Sequence, residues 1–191
     1  VFFSIKDPDL RSYDKSSKKL KRNSIGVHKG INSNEIKHFY RSYFKSKKKG
    51  LPFVTCKLAT SKDFYMVNKK KRNITNHFSR SRVHLMRSTH DCIMTSSRTI
   101  INDNSRLTCR IEGLVDTSPV RILLDNNLKI SINSIVIREA KYFPTIIFYN
   151  FTNNRKIKIL KNLGIKLYKI PLDKNLNLDL TSSLIKAKKL G

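Results

Sequence analysis

The stretch CIMTSSRTIINDNSRLTCRIEGLVDTSPVRILLD, residues 92–125, decides the fold. It begins and ends with short runs of apolar and β-branched residues, at 92–96 and at 120–125, and the residues between these runs are mostly polar. Short apolar runs bounded by turn-forming residues are typical of buried β-strands. We therefore predict a strand at each end of the stretch.

Similar runs alternate with amphipathic segments along the rest of the chain. Further strands are predicted at residues 1–5, 53–59, 145–149 and 165–170. Four amphipathic helices are predicted. The first begins near Asn34 and contains Ile36, Phe39, Tyr40, Tyr43 and Phe44, and the second begins at Thr75 or Asn76 and contains Phe78, Val83 and Met86. The third contains Ile157, Leu160 and Leu163 and ends at Gly164, and the fourth contains Leu184 and has no strand after it.

This alternation of strands with helices predicts an α/β fold with a mostly parallel sheet and helices on both of its faces. Such sheets bind ligands beyond the carboxyl ends of their strands, so the site is expected in the loops that follow strands. Polar residues lie there at 60–63, 97–99, 102–104 and 107–110, and at Asp125. Their hydroxyls, carboxylates and cations suit a ligand with phosphate and ribose groups, although the same residue types also form ordinary turns.

Composition excludes several classes of protein. Of 191 residues, 39% are hydrophobic, which is enough for a core in one domain or in one domain plus a remnant. No apolar run approaches the roughly 20 residues that cross a bilayer. The start at Val1 indicates a strand rather than a signal peptide, and the absence of an initiator Met suggests a fragment.

The cysteines and glycines exclude other sites. Cys56, Cys92 and Cys109 are odd in number and widely spaced, which supports neither a disulfide framework nor a zinc site. We therefore expect a cytoplasmic protein with no bound metal. The chain has only six glycines and no glycine-rich dinucleotide motif, which argues against a Rossmann domain.

The net charge of +27 leaves two interpretations open. A basic surface binds nucleic acid by releasing counterions, so a nucleic-acid-binding module is one alternative. However, 27 of the 40 basic residues are Lys, in short runs scattered along the chain and not interleaved with aromatic residues. Solvated faces explain such runs better, and nucleic acid is not the expected partner.

Motifs between residues 52 and 125 follow one another in a recognisable order. They read PFVTCKLA at 52–59, SKD at 61–63, IT at 74–75, VHLMR at 83–87, DCI at 91–93, Thr99, DN at 103–104, LTCR at 107–110 and PVRILLD at 119–125. In this order they resemble the reductase half of the bifunctional riboflavin-biosynthesis deaminase–reductase family. The spacing from Arg87 through Arg110 matches the family without a gap, so this block carries most of the resemblance.

The flanking residues extend the resemblance. Residues 5–9, 25–27 and Gly30 are similar to the end of the family's deaminase domain. We therefore predict a cytidine-deaminase-like remnant at 1–48 and a reductase domain at 49–191. The family's zinc motifs would precede Val1, so zinc is expected only in that part of a parent protein. The family's Glu-Gly-Gly loop would follow Gly191, so the reductase domain is expected to be truncated at its C-terminal end.

The resemblance implies a fold similar to dihydrofolate reductase and a specific reaction. In that reaction NADPH reduces the ribosyl side chain of a phosphoribosylamino-pyrimidine to a ribityl chain. The matching positions imply that Ala59, Thr99 and Asp103 contact NADPH and that Arg87, Leu107 and Arg110 contact the substrate, with both arginines near its phosphate. Lys57 and Thr75 are implied in the same cleft. No catalytic proton donor is assigned, and the sequence leaves open whether a homodimer forms.

Four positions depart from the family pattern. Phe64 replaces a Gly, Lys71 a Ser, Asn73 a Trp and Asn126 a Ser. Loss of the Trp removes a flat apolar surface against the cofactor. A third interpretation is therefore a non-catalytic remnant of the family, in which the two arginines are surface cations and Thr99 and Asp103 only cap a helix or turn.

Overall fold

The computed structural model describes residues 1–66, 74–151 and 153–191. The chain forms two compact units. The first contains residues 1–56 and 184–191, and the second contains residues 57–183. The predicted division at residue 48 stays a prediction, since compactness alone does not define a domain.

The second unit is built on a four-stranded parallel sheet. Its strands are β3 (Cys92–Ser96), β4 (Val120–Leu124), β5 (Thr145–Tyr149) and β6 (Lys166–Lys169), in the order β3-β4-β5-β6. Its helices are α4 (His77–Ser88), α5 (Ser97–Asp103), α6 (Ile135–Arg138) and α7 (Asn154–Asn162), with a 3₁₀ turn at Val115–Thr117, and α8 (Leu180–Lys189) begins in this unit. The predictions of an α/β fold and of a parallel sheet are confirmed.

Side-chain caps fix where two of these helices begin. The Asn76 side chain accepts a hydrogen bond from the Ser79 amide at the start of α4, and Asn153 does the same for Lys156 at the start of α7. Each bond satisfies an amide that the first helical turn leaves without a partner. Of the two predicted starts of the second helix, Asn76 is therefore the cap.

The main core lies on one face of this sheet. Leu123 and Ile147 stand opposite each other in the β4–β5 register, and both are fully buried. Ile100 of α5, Val136 of α6 and Leu160 of α7 join them in one cluster. At about 25 cal/mol for each Å² of apolar surface removed from water, this contact is the main stabilising term for the unit.

A buried cation lies on the same face as this core. Arg121 of β4 has no exposed surface. Its guanidinium donates to the Thr145 hydroxyl at 2.6 and 3.0 Å and to the carbonyls of Arg106 (3.1 Å), Val136 (2.9 Å) and Phe143 (2.8 Å). Glu139 lies 3.9 Å away. Burial lowers the pKa of Arg121 to about 10, and the charge of Glu139 opposes that shift.

The first unit has little regular sheet. Its elements are β1 (Phe2–Phe3), α1 (Lys15–Arg22), β2 (His28–Lys29), α2 (Ser33–Phe39) and α3 (Arg41–Lys49), and β1 and β2 pair in parallel. Asp9 links the N-terminal segment to α3, because its carboxylate accepts from Arg11 at 2.6 Å and from Lys47 at 2.8 Å. These bonds hold the pKa of Asp9 well below its usual range.

The strand predicted at 53–59 is wrong. These residues form no strand, and Val54 and Leu58 are more than half exposed. The segment has apolar residues on both alternating faces and pairs with no described strand. β-propensity reflects packing against neighbouring strands, so an apolar run without such a neighbour does not become a strand.

Three other predictions need correction. The strand predicted at 1–5 is only two residues long. The helix predicted through residues 36–44 begins at Ser33, near the predicted Asn34, but it breaks at Tyr40 into α2 and α3. Its predicted apolar face is not buried, since Phe39 is 75% exposed. Residues 97–103, expected in a loop, form α5.

No described helix is both long and apolar enough to cross a membrane.

We predict that Arg121→Met destabilises the protein by about 3–5 kcal/mol, the usual result of removing one partner from a buried charged network. Three carbonyls and the Thr145 hydroxyl would lose their donor. Urea unfolding followed by circular dichroism measures the change. Arg138→Met, at an exposed position in α6, is the matched control and should change stability by less than about 0.5 kcal/mol. Equal stability of the two variants would contradict the role given to Arg121.

Candidate functional site

A cluster of basic side chains forms around the last turns of α4. Arg87, half-buried, donates from Nη1 to the Thr108 carbonyl at 2.9 Å. Its Nε is buried and has no acceptor in the described part of the chain. A buried donor without a partner costs free energy, so this guanidinium has unused hydrogen-bonding capacity.

Arg110 approaches the same turns of α4 through His84. The Arg110 amide donates to His84 Nδ1 at 3.2 Å, and Arg110 Nη2 lies 3.2 Å from His84 Nε2. His84 and Arg87 are three residues apart in α4, which places them on one side of the helix. Three basic groups are therefore adjacent, and we call Arg87, Arg110 and His84 the basic cluster.

The basic cluster has no counter-ion in the part of the chain that the structure describes. Within the described residues, neither arginine forms an ion pair with a carboxylate. Burial first, and then the charge of Arg110, lowers the pKa of Arg87. Burial and both arginines lower the pKa of His84, and the Thr108 carbonyl opposes that shift. An oxyanion bound here would relieve this repulsion and supply the missing acceptors.

The basic cluster lies near the amino end of β4. The Cys109 amide donates to the Ser118 hydroxyl at 3.0 Å, and Ser118 precedes β4 by two residues. Arg87 and Arg110 are therefore not in loops at the carboxyl ends of strands, where the site was expected. The side chain of Leu107 is buried in the core, and its backbone has φ 62°.

The predicted cofactor residues lie elsewhere in the unit. Thr99, half-buried, and Asp103, exposed, are four residues apart in α5, which follows the carboxyl end of β3. Among the described residues, no hydrogen bond joins them to the basic cluster. The structure thus brings together Arg87 and Arg110 as one group and Thr99 and Asp103 as another.

The carboxyl end of β4 also carries an unsatisfied acceptor. Asn126 donates from Nδ2 to the Leu176 carbonyl at 3.3 Å, but its Oδ1 is buried with no donor among the described residues. Asp125, directly before it, is a structural residue, because its carboxylate accepts from the amides of Lys129 and Ile130 at 2.8 Å each. An amide or hydroxyl donor from a ligand would satisfy Asn126 Oδ1.

The other predicted residues lie in irregular segments. Lys57 is exposed and Ala59 half-buried, and the Thr75 carbonyl accepts from Arg80. Phe64 keeps the backbone that a Gly favours, with φ 65° in a turn closed by Ser61 and Tyr65. Lys71 and Asn73 lie outside the described residues.

A shallow depression lies next to α5, but it does not contain the predicted site. Its volume is about 320 Å³, and its lining residues are Ile100, Ile101, Asn104, Lys129, Ile130, Ser131, Asn133 and Ser134. None of the predicted cofactor or substrate residues lines it.

Sequence reasoning missed the contribution of two residues. His84 lies in the VHLMR motif and was given no role, although its spacing of three from Arg87 is visible in the sequence. Asn126 was noted only as a replacement for Ser. Its unsatisfied oxygen depends on the approach of Leu176, fifty residues later, which no local pattern reveals.

The fold and the basic cluster together define an α/β domain with a parallel sheet and a group of adjacent cations that no described carboxylate pairs with. The RibD C-terminal domain family matches residues 52–190, and the chain belongs to this family.

Curated relatives agree with this assignment. The chain is 29% identical over 177 residues to the riboflavin biosynthesis protein RibD of Bacillus amyloliquefaciens, covering 91% of this chain and 47% of that protein. It is 26% identical over 144 residues to the same-named protein of Escherichia coli, covering 69% and 39%. The chain thus spans about half the length, or less, of these relatives.

Solved structures share the fold. Acinetobacter baumannii RibD superposes with a TM-score of 0.80 at 21% identity, covering 100% of this chain and 51% of that chain. A diaminohydroxyphosphoribosylaminopyrimidine deaminase/5-amino-6-(5-phosphoribosylamino)uracil reductase from Thermotoga maritima superposes with a TM-score of 0.69 at 24% identity, covering 88% and 53%.

We predict that His84 makes the protein less stable in mild acid. Its folded pKa lies below the unfolded value of about 6.5, so the unfolded chain binds the proton first as pH falls. Stability is therefore lost as pH drops through about 6.5 towards the lower folded pKa. In urea unfolding, His84→Gln should lose less stability than wild type between pH about 7.5 and pH about 5.

The control for this prediction is His77→Gln, at an exposed position of the same helix. It should follow the wild-type pH dependence more closely than His84→Gln does. An identical acid response in wild type and in His84→Gln would show that burial among cations does not affect this histidine.

Proposed function

We propose that the chain carries an NADPH-dependent reductase domain of riboflavin biosynthesis. The substrate is 5-amino-6-(5-phosphoribosylamino)uracil, and the ribosyl side chain is reduced to ribityl. Membership in the RibD C-terminal domain family supports this function, as does the reductase named for the Thermotoga maritima structure. The observation that carries the proposal is the pair Arg87 and Arg110, which lacks any described counter-ion.

The basic cluster is the proposed phosphate site. A phosphate ester carries up to two negative charges and several acceptor oxygens, which match two guanidinium groups. Of the three nitrogens of the Arg87 guanidinium, only Nη1 has an acceptor among the described residues. Binding by these groups would hold the phosphoribosyl end of the substrate and so limit the orientations of its sugar.

Thr99 and Asp103 are the proposed cofactor contacts. A carboxylate accepts hydrogen bonds from ribose hydroxyls, and a threonine hydroxyl donates as well as accepts. Asn126 Oδ1, at the same edge of the sheet as the start of α5, offers a further acceptor. These hydrogen-bonding groups therefore fit the ribose hydroxyls of a nucleotide. When bound, NADPH supplies the hydride, and the protein contributes orientation and exclusion of water.

The two groups are separated along β3. Arg87 is in the helix that leads into the amino end of β3, and Thr99 is in the helix that follows its carboxyl end. A five-residue strand is roughly 16 Å long. A cofactor held by one group and a phosphorylated substrate held by the other would then meet between them. Lys57, Ala59, Leu107 and Thr75 stay proposed contacts with less specific roles.

A cytoplasmic location is part of this proposal. Cys56, Cys92 and Cys109 are free thiols, which a reducing compartment keeps reduced.

We predict that single substitutions weaken the binding of one ligand and not of the other. Arg87→Ala should raise the Kd for ribose 5-phosphate by about 10- to 100-fold, the usual effect of losing a charged hydrogen bond, and should change the Kd for NADPH by less than about twofold. Asp103→Asn should weaken NADPH binding and leave ribose 5-phosphate binding unchanged. Isothermal titration calorimetry for the sugar phosphate and nucleotide fluorescence for NADPH measure both constants.

Matched controls exist for both substitutions. Arg82→Ala lies at an exposed position of α4, and Asp116→Asn lies at an exposed position of the 3₁₀ turn. Neither should affect either ligand. Absence of NADPH binding to the wild-type chain, or equal loss of both ligands in Arg87→Ala, would overturn the assignment of these residues.

A further inference from the structure

The ring of His84 lies between the main chain and the side chain of Arg110. Its Nδ1 is 3.2 Å from the Arg110 amide nitrogen, and its Nε2 is 3.2 Å from Arg110 Nη2. Both neighbours are nitrogen atoms that only donate hydrogen bonds. The ring therefore meets a donor on each side.

The main-chain contact favours one tautomer of the neutral ring. A neutral imidazole carries one proton, so only one of its nitrogens accepts. The Arg110 amide is held by the main chain and points at Nδ1, so Nδ1 is the acceptor. The proton then lies on Nε2, where it faces the guanidinium of Arg110. His84 Nε2 and Arg110 Nη2 are then both donors, and they lie 3.2 Å apart with no acceptor between them.

Among the described residues, the surroundings provide one acceptor for the ring, the Thr108 carbonyl. This carbonyl also accepts from Arg87 Nη1, so two donors share it. The 3₁₀ turn that packs against α4 carries Asp116, which is exposed and forms no ion pair in the described part of the chain. The charged neighbours of His84 are therefore the cations Arg87 and Arg110. An oxygen atom from a ligand could accept from the three donors of the cluster, which are Arg87 Nε, Arg110 Nη2 and His84 Nε2.

We propose that His84 donates a hydrogen bond from Nε2 to the phosphate that Arg87 and Arg110 hold. This inference rests on the proposed function and deepens it, because it adds a neutral donor to the site for the phosphoribosyl group. His84 is then a binding residue, and the Arg110 amide orients its ring. The two contacts to Arg110 are the observation on which the proposal depends.

The proposal has a consequence that a purely structural histidine would not show. A bound phosphate dianion places negative charge next to Nε2–H and favours the protonated imidazolium. Phosphate binding should therefore raise the pKa of His84 above its value in the free protein. By linkage, the affinity for the phosphate dianion, corrected for the dianion's own protonation near pH of about 6, should rise as pH falls through the pKa of His84.

Two substitutions test the contributions of the two ring nitrogens separately. In His84→Asn, the side-chain oxygen can accept from the Arg110 amide at the Nδ1 position, but nothing reaches the Nε2 position. In His84→Gln, the amide NH₂ can donate from the Nε2 position. We expect His84→Asn to weaken ribose 5-phosphate binding about tenfold and His84→Gln to stay within about threefold of wild type.

Calorimetry with ribose 5-phosphate and with inorganic phosphate measures these affinities on the full chain. His77→Asn, at an exposed position of α4, is the control and should bind as wild type does. Equal affinity of wild type and His84→Asn overturns the proposal. Absence of binding of both probes to wild type overturns it together with the proposed phosphate site.

Nuclear magnetic resonance of wild-type protein tests the proposal without a variant that must fold. Long-range ¹H–¹⁵N spectra should show His84 in the Nε2–H tautomer near neutral pH, and its titration should shift to higher pH when inorganic phosphate is added. An Nδ1–H tautomer, or no shift with phosphate, overturns the proposal. If phosphate binds as expected but NADPH does not, the reductase function fails and the His84 contact stands.

Discussion

The buried guanidinium of Arg121 is the polar interaction on which the packing of the second unit depends. Taking a cation out of water costs several kcal/mol unless hydrogen bonds replace the lost hydration. Arg121 receives this compensation from the Arg106, Val136 and Phe143 carbonyls and from the Thr145 hydroxyl. One side chain therefore joins β4 to the start of β5, to α6 and to the segment that precedes the basic cluster.

Arg121 and Arg87 show how differently two buried arginines can be used. Arg121 is saturated by acceptors and has Glu139 3.9 Å away, so it has no capacity left for a ligand. Arg87 has one carbonyl acceptor, no carboxylate among the described residues and a second cation nearby. The same side chain is structural where its acceptors are internal and suited to binding where they are missing. This contrast, and not basic residue content, is the reason for proposing Arg87 and Arg110 as the phosphate site.

The strands of the second sheet could be predicted because neighbouring strands bury their apolar residues. Ile122, Ile147 and Phe148 are buried within β4 and β5, as an apolar run requires. The run at 53–59 has similar composition, yet no described strand pairs with it. The sequence of the run does not show whether a partner strand exists. The helix predicted through Tyr40 failed because periodicity shows which residues share a face but does not show whether another element covers that face.

The site was less predictable than the fold, for a physical reason. The family motifs indicated Arg87 and Arg110, but spacing alone did not show that Arg87 contacts the segment that carries Arg110, near the amino end of β4. The role of Arg121 was also hidden, because it depends on three carbonyls from separate loops. Such long-range contacts leave no periodic pattern in the sequence.

Part of the net charge of +27 has a local explanation. Nine of the 40 basic residues lie in the last turns of three helices, within residues 19–22 of α1, 47–49 of α3 and 186–189 of α8. Cations there interact favourably with the unpaired carbonyls at helix carboxyl ends, and the positions are mostly solvent-exposed. These lysines therefore need no polyanion to account for them. The cations that do need a partner are the few arginines that helix ends and acidic neighbours leave uncompensated, and the basic cluster contains two of them.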